Sequence, residues 1–484
     1  MDIVLATINA KWIHPSLALR LLKANLGNLK ERCVILEFAL RQPLKEKVEP
    51  IIAARPRLLG ISVSIWNHLA TLELLKFLNE EWKKEIETKP LVVLGGPEVS
   101  WLPEEAELFR YADYVIRGEG ELAFRDFCRK VINSDRNDFN SPAINSNTPR
   151  IKNNNNSLVF LGKGEDIVDV KEISSAYDLY TDEDIRKKLT YVEASRGCPY
   201  SCEFCQAGSQ ANVREFPLAP FLADMDKLLE RGVKTFKFLD RTFNLNMDRV
   251  QKIMEFFLEK TKARGRSPFC VHFEMIPSHF PLALRELIKR FPPGSLRLEL
   301  GIQTFNSETA ALICRSGNSR EALETLEFLR RQTSAIVHAD LIAGLPGESP
   351  GSFGAGFDML WAVLSRGTPI PFEIQLGILK CLPGTPIARH NDLYGMIYSA
   401  TPPYEVLETA AISMEQLEKI KNYGRFWEII VNRNPFPGLI KDFLMPGQPV
   451  FERFMNLADY LYNHFKRNWG IDRKDLKKTL EDFL

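Results

Sequence analysis

The sequence predicts an α/β protein with three parts: a doubly wound, Rossmann-like parallel sheet, a partial (β/α)6 barrel of the TIM type and a helical C-terminal extension. Two observations carry this prediction. Short apolar segments rich in β-branched residues alternate twice with amphipathic helical patterns, which is typical of parallel sheets covered by helices. The 484 residues also exceed what one ordinary core accommodates, so two or three domains are expected.

Residues 1–132 contain the first alternation. Apolar residues recur at three- and four-residue steps in 16–26 and 68–85, which predicts helices there. The predicted strands span 2–8, 33–40, 58–64, 90–96 and 114–118. In doubly wound sheets, ligands bind at the carboxyl ends of the strands. Those ends carry TINAKWIH, SVSIWN, GGPEVS and RGEGE, so the sequence predicts a ligand site at this edge.

A change of composition follows the first alternation. Asn accumulates over residues 133–157 and apolar periodicity is lost, which predicts a flexible linker or surface insertion. The next stretch, SLVFLGKGEDIVDV, predicts a small hairpin with a Gly turn. Linker and hairpin together are predicted to occupy 133–188.

The second alternation occupies residues 189–395. Its predicted strands span 189–195, 235–240, 270–276, 296–302, 337–344 and 372–380. Six parallel strand–helix units predict a partial barrel with its chemistry at the carboxyl ends of the strands. Residues 396–484 are predicted to be mostly helical, and their many aromatic residues are interpreted as ordinary packing.

The overall composition narrows the function classes. Lys and Arg (63) nearly balance Asp and Glu (62), so no general attraction to nucleic acid or to a membrane surface is expected. Neither a secretory signal nor a membrane span is predicted. Eight cysteines, three of them clustered, argue against a secreted disulfide scaffold and favour a metal or redox site in the cytoplasm.

The three clustered cysteines lie in SRGCPYSCEFCQAG, directly after the first barrel strand. Cys198, Cys202 and Cys205 supply three thiols where a closed zinc site needs four ligands. A remote residue such as Cys270 or His272 would complete a zinc site. An iron–sulfur cluster on three thiolates would instead leave one iron open to an outside ligand.

The cysteine spacing, Phe204 before the last cysteine and the strand–helix setting resemble the signature of radical S-adenosylmethionine (SAM) enzymes. KFLDRTFN, HFEMIP, LELGIQTFN, ICRSGN, HADLIAGLPGE and LPGTP follow in that superfamily's order. The resemblance implies a 4Fe-4S cluster on the three cysteines. It also implies SAM contacts from six residues: Phe204, Asp240, Glu274, Gln303, Arg315 and Asp340. Taken singly, Glu274 or Asp340 could be a barrel ion-pair member, Arg315 a surface cation and Gln303 a core hydrogen-bonding residue.

The N-terminal part resembles the cobalamin (B12)-binding class of radical SAM proteins through SVSIWN, VVLGGPEVS and DYVIRGEGE. The resemblance implies cobalamin contacts from nine residues: Asn9, Ser62, Ser64, Gly95, Gly96, Pro97, Glu98, Gly118 and Glu119. The Asp-x-His-x-x-Gly motif of enzymes with a histidine ligand to cobalt is missing, so neither His14 nor His68 is assigned to the metal. With its helical C-terminal region, the chain is similar to an uncharacterised, DUF4080-like subgroup.

The resemblance implies a cobalamin-dependent radical SAM enzyme that methylates an unactivated centre of a small molecule or peptide through a 5′-deoxyadenosyl radical. An external donor of the flavodoxin or ferredoxin type would supply electrons. A cyclase or rearrangement enzyme of the anaerobic magnesium-protoporphyrin ester cyclase type is the main alternative. A methylthiotransferase would need three N-terminal cysteines, and only Cys33 and Cys128 are present. A non-catalytic cobalamin-binding sensor would have a degraded SAM site.

Overall fold

The computed structural model describes residues 1–84, 89–133, 150–153, 156–209, 212–264, 269–315, 317–366, 371–445 and 449–484. The chain groups into two compact units. The first consists of Met1–Ser195 and Arg214–Lys237, and the second of Arg196–Val213 and Phe238–Leu484. Among the helices in the described ranges, none has the length and hydrophobicity of a membrane-spanning segment.

The first unit is built on a seven-stranded sheet in the order β2-β1-β3-β4-β5-β7-β6. Its strands are β1 (Ile3–Asn9), β2 (Cys33–Ala39), β3 (Leu58–Ser62), β4 (Leu91–Gly95), β5 (Tyr114–Ile116), β6 (Arg150–Asn153) and β7 (Asn156–Leu161). The helices that accompany them are α1 (Leu17–Ala24), α2 (Leu44–Ala54), α3 (His68–Lys84), α4 (Pro97–Trp101), α5 (Glu121–Asn133) and α6 (Asp182–Lys187). The predicted doubly wound sheet is confirmed.

Burial explains why β1 is central to this sheet. All seven of its residues are buried. Val4, Ala6 and Ile8 join one apolar cluster, whereas Ile3 and Leu5 join another, because successive side chains point to opposite faces. β1 pairs in parallel with both β2 and β3, so the strand order reverses around it. A crevice for ligands is therefore expected at the carboxyl ends of β1 and β3.

The predicted hairpin differs from the structure in its position. β7 pairs antiparallel with β6, which precedes it, and parallel with β5, so both strands extend the main sheet. Leu158 and Phe160 join one apolar cluster and Val159 the other, and burial on both faces favours a sheet strand over a surface hairpin. Residues 134–149 and 154–155 of the predicted linker lie outside the described residues.

A six-stranded sheet in the order β15-β14-β13-β12-β11-β8 forms the partial barrel. Its strands are β8 (Thr190–Val192), β11 (Thr235–Phe238), β12 (Cys270–Met275), β13 (Leu296–Gln303), β14 (Ile336–Ala343) and β15 (Phe372–Ile378), and a small pair is formed by β9 (Ser195–Arg196) and β10 (Arg214–Glu215). The barrel helices are α7 (Leu218–Glu230), α8 (Met247–Arg264), α9 (Leu282–Lys289), α10 (Ser307–Leu312), α11 (Ser319–Gln332) and α12 (Pro350–Leu364).

The C-terminal region is mostly helical, as predicted. It contains α13 (Asn391–Tyr394), a short hairpin of β16 (Ile397–Tyr398) and β17 (Val406–Glu408), α14 (Met414–Trp427), α15 (Phe451–Phe465) and α16 (Arg473–Phe483). Its aromatic residues form a packed core. Tyr423, Phe426 and Trp427 on α14 are at most 1% exposed, which supports the interpretation of ordinary packing.

Candidate functional site

A cavity of about 170 Å³ lies in the second unit, toward the carboxyl ends of β12, β13 and β14. Barrel chemistry is expected at this end of the strands. Its lining residues are Cys198, Tyr200, Cys202, Phe204, Cys205, Ala207, Arg241, Thr242, Glu274, Met275, Ile276, Glu299, Gly301, Gln303, Arg315 and Asp340.

All three cysteines of the cysteine loop, defined here as residues 198–206, line this cavity. A turn brings two of them together, since the Cys205 amide donates to the Cys202 carbonyl at 3.0 Å. Cys198 Sγ lies 3.5 Å from the Thr242 hydroxyl. Burial raises the pKa of the Cys202 thiol, and the Arg315 guanidinium, 3.6 Å from its sulfur, partly opposes that shift. The free thiols thus form one group of soft donors beside a cation.

The remote residues considered for a zinc site lie elsewhere. The Cys270 thiol donates to the Val271 carbonyl at 3.7 Å, at the start of β12. The His272 ring pairs with Glu299, with Nε2 2.9 Å from Oε2. Neither residue lines the cavity that the three cysteines share. A closed four-ligand site is therefore not assembled from these groups.

Five of the six residues predicted to contact SAM line the same cavity: Phe204, Glu274, Gln303, Arg315 and Asp340. Asp240 is the exception, because it is only 2% exposed and is not part of the lining. Arg315 hydrogen-bonds the Gly301 carbonyl through Nη2, which fixes the guanidinium between the strand end and Cys202. The structure therefore brings together residues from 198 to 340 that are far apart in the sequence.

Gln303 has an unusual conformation at the end of β13. Its φ is +71°, and the pairing with β14 shifts register between Gly301 and Gln303. A non-glycine residue at positive φ carries strain, which clusters at functional sites. Within the described part of the chain, its buried Oε1 has no hydrogen-bond partner. A Cβ at Gly301 would lie 2.5 Å from Gln303 Nε2, so a larger residue there would displace the amide group of Gln303.

Sequence reasoning missed a charged network in the barrel below the cavity. His338 Nε2 lies 3.1 Å from Asp340 Oδ1, and its Nδ1 lies 3.1 Å from Glu373 Oε2. Arg297 also pairs with Glu373 at 3.1 Å. Burial alone would lower the pKa of His338, but the carboxylates of Asp340 and Glu373 beside its ring raise it to about 10. The imidazolium therefore holds Asp340 in place from beneath.

The signal for this network was readable in the sequence. Residues of β13 and β14 alternate between buried and partly buried, so the polar residues of LRLELGIQ and IVHADLIA share one face of the sheet. Thr242, Arg241 and Tyr200 in the cavity wall were also missed, although each lies within or beside a stretch that the sequence singled out.

We expect replacement of His338 by Gln to destabilise the protein on the order of 3 kcal/mol at pH 6.5, because the variant lacks the cation between the two carboxylates. The folded pKa is raised above the ordinary 6.5, so this stabilisation is present below pH 6.5 and is lost as the pH rises through about 10. Thermal unfolding from pH 6 to 10.5 checks this: the gap between variant and wild type should close. Exposed His279→Gln is the control, and a gap constant with pH would contradict the assignment.

In the first unit, six of the residues predicted to contact cobalamin lie at or just beyond the ends of the neighbouring strands β1, β3 and β4: Asn9, Ser62, Ser64, Gly95, Gly96 and Pro97. Gly96 has φ +106°, and a Cβ there would lie 2.5 Å from the Val63 carbonyl. The β3 and β4 loops therefore approach each other at a distance that only glycine permits. Asn9 Nδ2 donates to Glu37 at 3.2 Å.

The other three residues predicted to contact cobalamin are bound to protein groups. Glu98 is 2% exposed and its Oε1 lies 2.8 Å from His68 Nδ1. Glu119 pairs with Arg214 through both oxygens, at 2.6 and 2.8 Å. Gly118 has φ +74°, and its amide donates to the Ser100 hydroxyl at 3.1 Å. These three residues shape the loops at the ligand edge.

The same edge exposes apolar side chains that the sequence reasoning did not single out. Trp12 and Ile13 follow β1, and they are 49% and 40% exposed. Trp66 precedes α3 and Leu69 lies in its first turn, and they are 52% and 53% exposed. Apolar groups exposed together mark a surface for a ligand or a partner.

Three family descriptions match successive parts of the chain. Residues 3–127 match the "B12 binding domain", residues 192–360 the "Radical SAM superfamily" and residues 392–484 the "Protein of unknown function (DUF4080)". The site geometry and the family matches therefore concern the same residues: the three cysteines and the cavity lie within the radical SAM match.

Two relatives cover most of this chain. The cobalamin-dependent radical SAM methyltransferase TokK of Streptomyces tokunonensis is 25% identical over 358 residues, which are 70% of this chain and 49% of TokK. The 2-(S-pantetheinyl)-carbapenam-3-carboxylate methyltransferase of Streptantibioticus cattleyicolor is 24% identical over 75% of this chain and 53% of its own length. The chain thus spans about half the length of these relatives.

Solved structures share the fold at low sequence identity. The cobalamin-dependent SAM radical enzyme OxsB, with aqua-cobalamin and SAM bound, has a TM-score of 0.68 at 13% identity over 99% of this chain and 78% of OxsB. The methyltransferase TsrM from Kitasatospora setae has a TM-score of 0.60 at 15% identity over 85% of this chain and 80% of TsrM. From N- to C-terminus, this chain is therefore a B12-binding-domain radical SAM protein with a DUF4080 domain.

Proposed function

We propose that this chain is a cobalamin-dependent radical SAM enzyme that transfers a methyl group to an unactivated centre of a small molecule or peptide. One observation carries the proposal: the three thiols of the cysteine loop and five residues predicted to contact SAM line a single cavity. Methyltransferases among the relatives support the reaction class.

The donor set fits a 4Fe-4S cluster with one iron open to SAM. Cys198, Cys202 and Cys205 provide three thiols, and thiolates are the ligands that such clusters take. When bound, the cluster supplies the electron that cleaves SAM. An external flavodoxin- or ferredoxin-type protein is proposed as the source of that electron, since the chain has no other cysteine group of this kind in the described residues.

Residues of this chain would hold SAM in a defined orientation. The guanidinium of Arg315 suits the methionyl carboxylate, because it can pair with both oxygens. The orphaned amide oxygen of Gln303 can accept a hydrogen bond from SAM, and Glu274 and Asp340 suit ribose hydroxyls. Phe204 offers an aromatic face in the same wall. Asp240, being outside the lining, would act only through its neighbours.

The edge of the first sheet fits cobalamin, a large cofactor with apolar and amide groups. Trp12, Trp66 and Leu69 are exposed at this edge and can cover an apolar face. Ser62 and Ser64 offer polar groups at the end of β3, and Gly96 lets the β3 and β4 loops approach each other at this edge. No histidine is proposed as a ligand to cobalt.

Among the rival functions, the methylthiotransferase has the weakest support. Ribosomal protein uS12 methylthiotransferase from Sulfurimonas denitrificans matches only 34% of this chain, at 22% identity. The N-terminal cysteines, Cys33 and Cys128, are at most 1% exposed and belong to an apolar core. Burial also raises the pKa of Cys33 to about 12, so neither residue is suited to hold a second cluster.

The proposal is tested on the full chain, reconstituted without oxygen with iron, sulfide and cobalamin and then reduced in the presence of SAM. Methyl transfer predicts that both 5′-deoxyadenosine and S-adenosylhomocysteine form, measured by mass spectrometry. Formation of 5′-deoxyadenosine without S-adenosylhomocysteine would indicate cyclase or rearrangement chemistry instead of methylation. A chain that retains cobalamin and iron but cleaves no SAM would favour a non-catalytic sensor.

We also propose how the chain is divided into domains and where in the cell it acts. The chain is proposed to divide into a cobalamin-binding domain (1–132), a linker with hairpin (133–188), a barrel (189–395) and a helical domain (396–484). A cytoplasmic location is proposed because three clustered free thiols require a reducing compartment. Neither a membrane nor a nucleic acid is proposed as a partner.

A further inference from the structure

One residue between the cysteines, Glu203, is not explained by the proposed cofactors. It is 4% exposed, although a carboxylate in a surface loop would normally face water. Its Oε2 accepts hydrogen bonds from His390 Nε2 at 2.8 Å and Arg389 Nε at 3.0 Å. Its Oε1 accepts one from Cys314 Sγ at 3.2 Å. A buried charge with this many partners is costly to leave unpaired.

The backbone around Glu203 is held in the same way. Its amide donates to the Ile313 carbonyl at 3.1 Å, and its carbonyl accepts from the Ile387 amide at 3.2 Å. Gln206 Nε2 donates to the Pro383 carbonyl at 2.9 Å. Both ends of the Cys202–Cys205 turn are therefore bound to residues 383–390, which lead directly into the C-terminal domain.

Apolar packing joins the same two parts of the second unit. Phe204 packs against a buried cluster that includes Met396, Val406, Ile412 and Leu417. These four residues belong to the C-terminal domain that matches DUF4080. Phe204 thus lines the cavity and also packs against a cluster that residues of this domain share with Ile313 and Ile387.

We propose that the C-terminal domain, together with residues 383–390, is the seat of the cysteine loop: it binds the loop through Glu203, Phe204 and Gln206 and so fixes the positions of Cys202 and Cys205. Glu203 is a positioning residue, because its carboxylate contacts the seat and acts on the thiols only through the backbone. The seating of the loop concerns the protein with or without iron, whereas its effect on iron retention rests on the proposed function.

The first test measures the loop in the full chain without iron. Iodoacetamide alkylation of each cysteine is followed by mass spectrometry. Glu203→Ala should speed alkylation of Cys202, which is 7% exposed, by about tenfold to a hundredfold, the range that corresponds to losing a hydrogen bond to a charged group. Unchanged Cys202 alkylation in Glu203→Ala would overturn the proposal.

Two substitutions of His390 distinguish the loss of the cysteine loop's attachment from a general loss of stability. The amide nitrogen of Gln can stand where His390 Nε2 donates, so His390→Gln should stay within about twofold of wild type. His390→Leu keeps the bulk but has no donor, and it should behave like Glu203→Ala. Equal alkylation in the Gln and Leu variants would contradict the proposal. Glu415→Ala, which removes an exposed ion pair with Lys419 on α14, is the matched control.

The milder variant Gln206→Ala keeps the test decisive if Glu203→Ala does not fold. It removes the hydrogen bond to Pro383 and should still speed alkylation of Cys202 several-fold, about the effect of one neutral hydrogen bond. A folded Gln206→Ala protein with the wild-type rate would argue against the seat.

The second test measures iron loss from the reconstituted full chain in the presence of EDTA. Glu203→Ala and His390→Leu should lose iron faster than wild type and His390→Gln. If the wild-type protein bound no iron but alkylation were still faster in Glu203→Ala and His390→Leu, the proposed function would be wrong and the seat would remain supported. If all variants bound iron normally and lost it at the same rate as the wild type, the proposed seat would be wrong and the proposed function would be unaffected.

Discussion

Replacement of Cys202 by Ala is expected to abolish iron binding and SAM cleavage together. The Cys202 thiol is the most buried of the three in the cysteine loop, and it lies between the other two in sequence and beside Arg315. Two remaining thiols cannot hold a cluster that takes three from the protein. Iron binding is measured by iron content and by the absorbance of the reconstituted protein. SAM cleavage is measured by 5′-deoxyadenosine formation, whose rate should fall by at least about a thousandfold.

Cys270→Ala is the matched control for Cys202→Ala. It removes a partly buried thiol from β12 that bonds the neighbouring Val271 carbonyl and does not line the cavity. This variant should bind iron like the wild type. If Cys202→Ala kept its iron, or if Cys270→Ala lost it, the assignment of the cluster to the cysteine loop would be wrong.

Replacement of Gly96 by Ala is expected to remove cobalamin binding and to destabilise the first unit. Its φ of +106° is unfavourable for alanine, and the new Cβ would lie 2.5 Å from the Val63 carbonyl. Backbone strain of this kind costs about 1–3 kcal/mol, and relieving it would move the β3 or β4 loop. Cobalamin retained after gel filtration and thermal unfolding are the measurements.

The neighbouring glycine provides the control for Gly96→Ala. Gly95 lies within β4, and a Cβ there would be 3.7 Å from the Ile116 carbonyl, an ordinary contact. Gly95→Ala should therefore change stability by less than about 1 kcal/mol. If the Gly96→Ala protein had wild-type stability and full cobalamin content, the close approach of the β3 and β4 loops would not be needed for either property.

Much of the fold could be predicted because strand patterns and chain order are local. The runs at β1 and β14 form strands of the two sheets, and their ends differ from the predictions by one residue. Motif order then predicted that Cys198 and Asp340 belong to one site, and both line the cavity. The cysteine loop was found because its spacing is itself the signal.

The remainder depends on contacts between distant residues. Nothing local to Glu203 indicates that its partners are Arg389 and His390, and its motif gives no role to that position. Asp240 stands in a matching stretch, but its burial outside the cavity follows from packing. The predicted hairpin was placed after β7, whereas β7 pairs with β6 before it and with β5, and the pairing with β5 is a long-range choice.

Gln303 illustrates a conflict between selection for stability and selection for chemistry. A glycine would adopt φ +71° without strain. Selection for stability alone would therefore favour replacement of Gln303 by glycine. The glutamine thus stands where the backbone geometry alone favours glycine, and its side chain lines the cavity that the three cysteines share.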